Sequence, residues 1–488
     1  MKTKIIFSII LMFATISLIG QNETDALRYS YQFPGGTARA TAMGGAFGAL
    51  GGDITSLNIN PAGLGVFRSS EIGFTPSFEF ISSDVKYIDQ VTNDYDVNFN
   101  INSFGYVGTA IIDNSNSKFK NLNFGFGYRR LINFNENTLI SANNPYNSMT
   151  DWFADRANDT HWNNLASQDP FYSSVAWETY LIDPKNPGDS TQYSSTYNDV
   201  YGQKQTLSIG RSGYVGEYSL SLAANYNHKL YFGGSIGIQA LRFEQNLFLT
   251  ETDNNGDIAG FNEFQFDEHL KTYGTGLNFK FGLLYRPLDF IRIGAAIHTP
   301  TFYSLSDEWS TSGSSFFDNP DKSTFWDSPQ GNYDYELNTP FKAIGSLAFI
   351  VLQQGLISVD YEYSDYSLAR LRSYHYPFIS ENDNIKSEYK ATHNIRAGLE
   401  YRIEQISLRA GFAYFDSPYK SDHINKDSYH FMYSGGVGFR TQQFYFDLAY
   451  AYLTGSEMYY LYEGAINSPA AEIKNTSNRI VATIGVRF

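Results

Sequence analysis

From about residue 70 to its last residue the chain is governed by a period of two. In the final segment Ile480, Ala482, Ile484, Val486 and Phe488 fall on one face and Arg479, Thr483, Gly485 and Arg487 on the other. That is the alternation of a β-strand with one apolar and one polar side. Ile406, Leu408, Ala410 and Phe412 alternate in the same way with Ser407, Arg409 and Gly411, as do Phe444, Phe446, Leu448 and Tyr450 with Asp447 and Ala449. A soluble sandwich alternates too, with its polar face outward, so the pattern alone leaves both folds open. Further features favour a membrane barrel: the strands are long, aromatic residues cluster at their ends, short connections alternate with long ones, and the last strand ends on Phe488. No stretch after residue 20 is apolar for long enough to form a membrane helix, although 17% of the residues are aromatic and mean hydropathy is −0.33. The expected fold is all-β, a transmembrane antiparallel β-barrel of about 14 strands over residues 70–488.

The short links Asn227 to Lys229, Pro287 to Asp289, Glu404-Gln405 and Thr441-Gln442 read as periplasmic turns, which places both ends of the mature chain on that side. The longest insertions, near 134–213 and 305–333, read as partly helical extracellular loops: Ser148 to Asp151 has the form of a helix cap, and Pro170 precedes a second helical stretch from Phe171 to Ile182. These two insertions hold all five tryptophans, Trp152, Trp162, Trp177, Trp309 and Trp326, together with Phe153, Phe316 and Phe317. Bulky apolar side chains on loops bury against each other or around an apolar guest, so these eight are the candidate ligand-binding residues. In the wall, Asp360, Glu362, Arg396, Glu400, Arg402, Arg409, Asp447, Arg479 and Arg487 share the polar face. They are expected to point into the lumen, because lipid exposure would cost each about 2–4 kcal/mol at mid-membrane.

The stretch Gly35 to Gly65 stands apart. Its nine Gly and six Ala among 31 residues leave too little apolar bulk for a core of its own. Residues 21–69 therefore read as a hatch held inside the barrel, with Asp53 capping a turn over Ile54 to Leu57 and Asn60 closing an Asx-turn over Pro61-Ala62-Gly63. Arg39, Asn60, Pro61 and Ala62 are its candidate functional residues, Arg39 because a buried guanidinium in a plug must find a carboxylate or a ligand. The run Met43 to Asp53, MGGAFGALGGD, followed by Asn58 to Leu64, NINPAGL, resembles the hatch of the outer-membrane long-chain fatty acid transporters, the FadL-like family (OMPP1/FadL/TodX type). Leu408 to Tyr414 leading into Asp416-Ser417-Pro418, Ile291 to Ala296, and Ser358 to Tyr363 are similar to strands of that family. The resemblance implies a 14-stranded barrel that catches hydrophobic molecules between extracellular loops, passes them to a site beside the hatch and releases them sideways through a gap in the wall.

Met1 to Gly20, with Lys2 and Lys4 before an apolar run from Ile5 to Ile19, reads as a secretory signal peptide. The absence of cysteine excludes disulfides, thiolate metal sites and a lipoprotein anchor. A net charge of −15 argues against nucleic acid as a partner. There is no Gly-x-Ser-x-Gly elbow, phosphate-binding Gly-Lys-Ser/Thr loop or His-Glu-x-x-His helix, and Asp253 to Asp257 reads as a solvated loop tip, so neither catalysis nor a metal or cofactor is expected. The leading expectation is a monomeric outer-membrane transporter taking up long-chain fatty acids or similar molecules by passive diffusion, embedded in lipid and lipopolysaccharide and inserted by the barrel-assembly machinery. The alternatives are a surface binding or adhesion barrel without transport, a receptor for another hydrophobic ligand such as haem or aromatic hydrocarbons, and a general porin for polar solutes.

Overall fold

The computed structural model describes residues 22–113, 116–197, 199–352, 354–462 and 468–488; the segment Met1 to Gly20, read as a signal peptide, lies outside the described residues. The wall comprises β1 (Glu71–Tyr87), β2 (Gln90–Ile111), β3 (Phe119–Asn133 continued by Glu136–Asn143), β4 (Lys204–Tyr226), β5 (Leu230–Thr252) and β6 (Phe261–Leu288). It continues with β7 (Ile291–His298 and Phe302–Phe317), β8 (Gly331–Asn338 and Lys342–Val351), β9 (Gly355–Asp365), β10 (Ala391–Ile403), β11 (Ile406–Phe415), β12 (His430–Arg440), β13 (Phe444–Tyr460) and β14 (Ala470–Arg487). Each strand is antiparallel to the next, and β14 pairs with β1 from Glu71–Arg487 to Lys86–Glu472, closing a barrel of 14 strands. The breaks in β7 and β8 hold Pro300 and Pro340, which lack the ladder donor. Thr339 N donates to Thr301 O at 3.1 Å and Thr301 N to Thr339 Oγ1 at 2.9 Å, so this seam stays sealed.

Strands reach further outward than the alternation suggests. β1 and β2 meet at the tight turn Ile88-Asp89, and β7 runs on to Phe317, so the insertions expected near 134–213 and 305–333 narrow to residues 144–203 and 318–330. The reason is composition. Ser304 to Ser315 carries polar residues on both faces although one face is buried, and a strand with so few apolar residues has no continuous stripe to betray it. Helices α3 (Met149–Ala157), α4 (Trp162–Gln168) and α5 (Ser173–Glu178) cover the outer end of the lumen. The expected cap is present: Ser148 and Asp151 form a capping box at the start of α3.

The hatch lies within the lumen and is buried almost throughout, carrying α1 (Glu23–Arg28), α2 (Ala38–Ala42) and two 3-10 turns, Ile54–Leu57 and Pro61–Val66. Asp53 and Asn60 cap those turns as the residue pattern implies, Asp53 Oδ1 accepting from Thr55 N at 2.9 Å and Asn60 Oδ1 from Ala62 N at 3.1 Å. The wall supplies the partners the hatch backbone lacks. Asp360 Oδ2 accepts from the amides of Phe47 and Gly48, each at 2.9 Å, while Asn123 Nδ2 donates to Leu64 O at 2.6 Å and Asn121 Nδ2 to Phe67 O at 2.8 Å. Arg39 meets Glu400 at 2.8 Å, and Glu400 also receives Arg402 at 2.6 Å and Arg409 at 2.7 Å, with Arg409 passing on to Asp447 at 2.6 Å.

Lumen-facing glycines make the fit possible. A Cβ on Gly411 of β11 would stand 2.1 Å from the amide nitrogen of Gly44, whose own φ of +64° is left-handed. Gly411→Val should therefore unseat the hatch while leaving the wall ladder intact. Planar-bilayer recordings are expected to show a larger ion conductance than the parent in a barrel that still changes its gel migration on heating, and an unchanged conductance would mean the hatch does not seal the lumen.

Candidate functional site

Two cavities adjoin the hatch. The outer one, of about 340 Å³, lies between α1 and the wall, with Leu27, Tyr31, Phe33, Leu131, Phe134 and Phe243 as its apolar lining. Its polar margin includes the Glu79–Arg479 ion pair at 2.8 Å. The inner one, of about 70 Å³, is polar and lies against hatch residues Asn58 and Ile59. Four cations face it: Lys280 is paired with Glu217, and Arg396 with Glu362 at 3.0 Å. The other two, Arg129 and Lys342, form no ion pair among the described residues. Arg129 is 7% exposed with its Nε unpartnered, and Lys342 reaches only Gln32 Oε1 at 3.1 Å. Leu131 and Phe33 line both cavities, so an apolar chamber leads to a cationic one.

The wall beside the outer chamber is incomplete. The β2–β3 ladder runs only from Ile111–Asn121 to Ser103–Arg129, whereas β1 pairs with β2 as far as Tyr87–Gln90. Residues 90–102 of β2 thus have no ladder partner on the β3 side. β3 stays paired with β4 throughout but leaves β2, because a register shift between Arg130 and Ile132, then the break at Phe134-Asn135, redirect its outer half. Side chains take over from the backbone: Arg130 Nη1 donates to Asn100 Oδ1 at 2.5 Å, and Asn135 Nδ2 donates to Asn98 Oδ1. Asn100 and residues 130–136 also line the outer chamber, so the gap and the chamber share a wall.

The eight loop aromatics do not converge on either chamber. Trp152 and Phe153 lie on α3, Trp162 on α4 and Trp177 on α5; Trp309, Phe316 and Phe317 lie on β7, and Trp326 on a short strand, Thr324–Asp327, paired with β7. Two of the tryptophans expected in loops are therefore in strands, because β7 extends beyond the lipid belt. Phe153 is fully buried and Trp309 is buried against Phe171 at 5.5 Å, whereas Trp162 (43% exposed), Phe316 (49%) and Trp326 (41%) face outward. Trp162 stacks on Trp177 at 6.0 Å, and Trp152 meets Tyr172 edge-on at 5.2 Å. Of the hatch candidates, Arg39 is spent on Glu400. Asn60 Nδ2 ties Gly48 O at 2.7 Å to Leu283 O of the wall at 3.2 Å, while Pro61 and Ala62 are buried behind it. Arg129, Lys280, Lys342 and the apolar lining of the outer chamber were missed. Inward register would have flagged Lys280, but the Arg129-Arg130 doublet gives no facing until the bulge beside it is known.

These features define a class: a plugged transmembrane barrel with a lumenal apolar chamber and a lateral gap. The family model described as "Outer membrane protein transport protein (OMPP1/FadL/TodX)" matches residues 195–488. The chain belongs to this family and is an outer-membrane β-barrel. Its fold is similar to that of a Pseudomonas aeruginosa FadL homologue, at 12% identity and TM-score 0.55, covering 94% of this chain and 99% of that one. It is also similar to the P. putida toluene transporter TodX (14%, TM-score 0.53, 93% and 99% covered) and to the CymD monoaromatic hydrocarbon channel (12%, TM-score 0.51, 93% and 98%). No curated protein matches the chain.

Glu251, at the outer end of β5 above the lipid belt, pins α3 over the lumen. Its carboxylate accepts from Ser148 Oγ at 2.6 Å, Met149 N at 2.9 Å and Gln205 Nε2 at 2.6 Å, and it has no cation partner among the described residues. Burial, opposed by these donors, pushes its pKa from 4.5 up to about 7. A pKa raised on folding adds stability that is complete below pH 4.5 and is lost as pH rises through 7. The α3 cap should therefore resist proteolysis better at pH 5 than at pH 8, and Glu251→Gln should flatten that difference; an equal pH difference in the variant would contradict this account.

Proposed function

We propose that this protein admits hydrophobic molecules across the outer membrane by passive diffusion, and that its preferred substrates carry an anionic head on a long apolar chain, as long-chain fatty acids do. The single observation that carries this reading is the pairing of an apolar chamber with an inner cavity where Arg129 and Lys342 lack carboxylate partners. A buried cation without a counter-charge is costly, and a carboxylate from a ligand would relieve that cost through charge-assisted hydrogen bonds. On this reading the outward aromatics Trp162, Phe316 and Trp326 make the first contact, the acyl chain enters the outer chamber, and the gap beside Asn100 and Arg130 is the exit into the bilayer. The hatch gates that passage, with Asn60, Pro61 and Ala62 fixing how it sits against the wall.

A second reading, a neutral aromatic hydrocarbon as substrate, is supported by the likeness to TodX and CymD, and it makes no use of the free cations. The two separate cleanly. Arg129→Gln should reduce uptake of a labelled long-chain fatty acid by about tenfold, the loss of one charge-assisted contact, while leaving toluene uptake and barrel assembly unchanged. Equal uptake of fatty acid by variant and parent would reject the acid-headed substrate.

A further inference from the structure

The outer surface of the wall is not uniformly studded with side chains. Across β2 to β6, near the periplasmic end, lies a groove of about 810 Å³. Its sides are Tyr106 and Phe124 on one flank and Phe232 and Phe281 on the other, with Leu122 and Leu222 between them. At its floor the strands carry Gly108, Ala224 and Gly234 where their neighbours carry bulk. Phe124 is packed down over Gly108, since a Cβ there would stand 2.4 Å from its ring. Gly234 is open: a Cβ on it would meet nothing nearer than 3.8 Å. The groove has the width and apolar character to seat an acyl chain against the barrel.

Charge gathers at its periplasmic end. Ser70, which lines the groove, is bonded to the last residue, Phe488, at 3.0 Å, and Arg68 stands two residues before it. The turns on either side bring Lys118, whose carbonyl accepts from Asn227 N at 2.7 Å, and Lys229, whose carbonyl accepts from Arg286 N at 2.7 Å. Arg68, Lys120 and Arg286 are all near enough to His228, in the same turn as Lys229, to help burial hold its pKa down. The acids of this arc are Asp113 and Asp289, and Asp289 is taken by Arg286 at 2.8 Å. Arg68, Lys118, Lys120 and Lys229 form no ion pair among the described residues. Four cations without ion pairs on one short arc, of which Lys120 donates to Ser117 O at 2.9 Å, are unexpected in a chain of net charge −15.

We infer that this groove and rim bind one anionic glycerophospholipid of the periplasmic leaflet, an acyl chain lying between Phe124 and Phe232 and the phosphate resting among Lys118, Lys120 and Lys229. Basic rims beside apolar membrane surfaces recognise acidic head groups in this way, the apolar groove supplying the seat and the charge the selectivity. Lipopolysaccharide is not the occupant, because the groove opens at the end where the short turns and Phe488 lie. The site stands on the barrel alone and is independent of which substrate the lumen carries.

The test uses the full mature chain, reconstituted in vesicles of equal phosphatidylglycerol and phosphatidylcholine, re-extracted in mild detergent and analysed for retained lipid. The parent should retain phosphatidylglycerol over phosphatidylcholine by about fivefold or more. Neutralising the rim with Lys118→Gln, Lys120→Gln and Lys229→Gln together should bring the ratio to about one. Gly234→Leu, which the free space above Gly234 accommodates, should instead lower retention of both lipids by filling the seat. Heat-modifiable migration confirms that each variant is folded. A ratio near one in the parent, or an unchanged ratio in the rim variant, would overturn the proposal, as would full retention of lipid by Gly234→Leu.

Discussion

A strand inside a bilayer has no water to satisfy its amides, so each must find another strand, and the only arrangement that leaves none over is a closed ring. Here the ring closes through the β1–β14 ladder, and the prolines that interrupt β7 and β8 are bridged by threonines. The rule is relaxed at one seam, where β2 loses β3 beyond Ser103 and Asn98, Asn100, Arg130 and Asn135 close the space with side chains. Side-chain contacts can open without unravelling a ladder. This seam lies against the apolar chamber, so the exit route proposed above crosses side-chain contacts and no ladder.

The hatch answers a second constraint. A segment so rich in glycine and alanine has little apolar bulk of its own, and its stability is borrowed from the wall: Asp360, Asn121, Asn123 and Glu400 hold its backbone and Arg39, and wall glycines give it room. Its contacts with the wall are both polar and apolar: Met43, Phe47 and Leu50 pack with Ala296, Ile344 and Ala348, and Ile54, Leu57 and Leu64 with Val107 and Ala223.

Much of this was legible in the residues. Alternation gave the number of strands, and the caps of Asp53 and Asn60 stood where their side chains placed them. The expectation that both ends of the mature chain share the side of the short turns fails, because the hatch runs up the lumen and Glu23 meets Asn384 of the long β9–β10 connection at 3.4 Å. Alternation fell silent where both faces of a strand carry polar residues, as in Ser304 to Ser315, whose buried face holds Asp307, Thr311 and Ser315, and there strand was read as loop. The chambers were invisible for a different reason. Leu27, Leu131, Phe134 and Phe243 come from three separate elements, and Arg129 differs from its neighbour Arg130 only by a bulge. The loop aromatics carried a composition signal but no geometry, and the fold spends Phe153 and Trp309 on packing while leaving Trp162 and Trp326 at the surface.

The account depends most on the β2–β3 seam, and the absence of native cysteine makes it open to direct test. Asn98→Cys and Asn135→Cys, introduced together and joined by a short cleavable thiol crosslinker, would tie the two strands across the gap. Uptake of labelled fatty acid into cells carrying the crosslinked double variant should fall to the level of cells lacking the protein and return when the crosslink is cleaved. Each single variant treated with the same reagent should import like the parent. Undiminished uptake through a fully crosslinked barrel would show that the ligand leaves by another path and that the seam is not the exit.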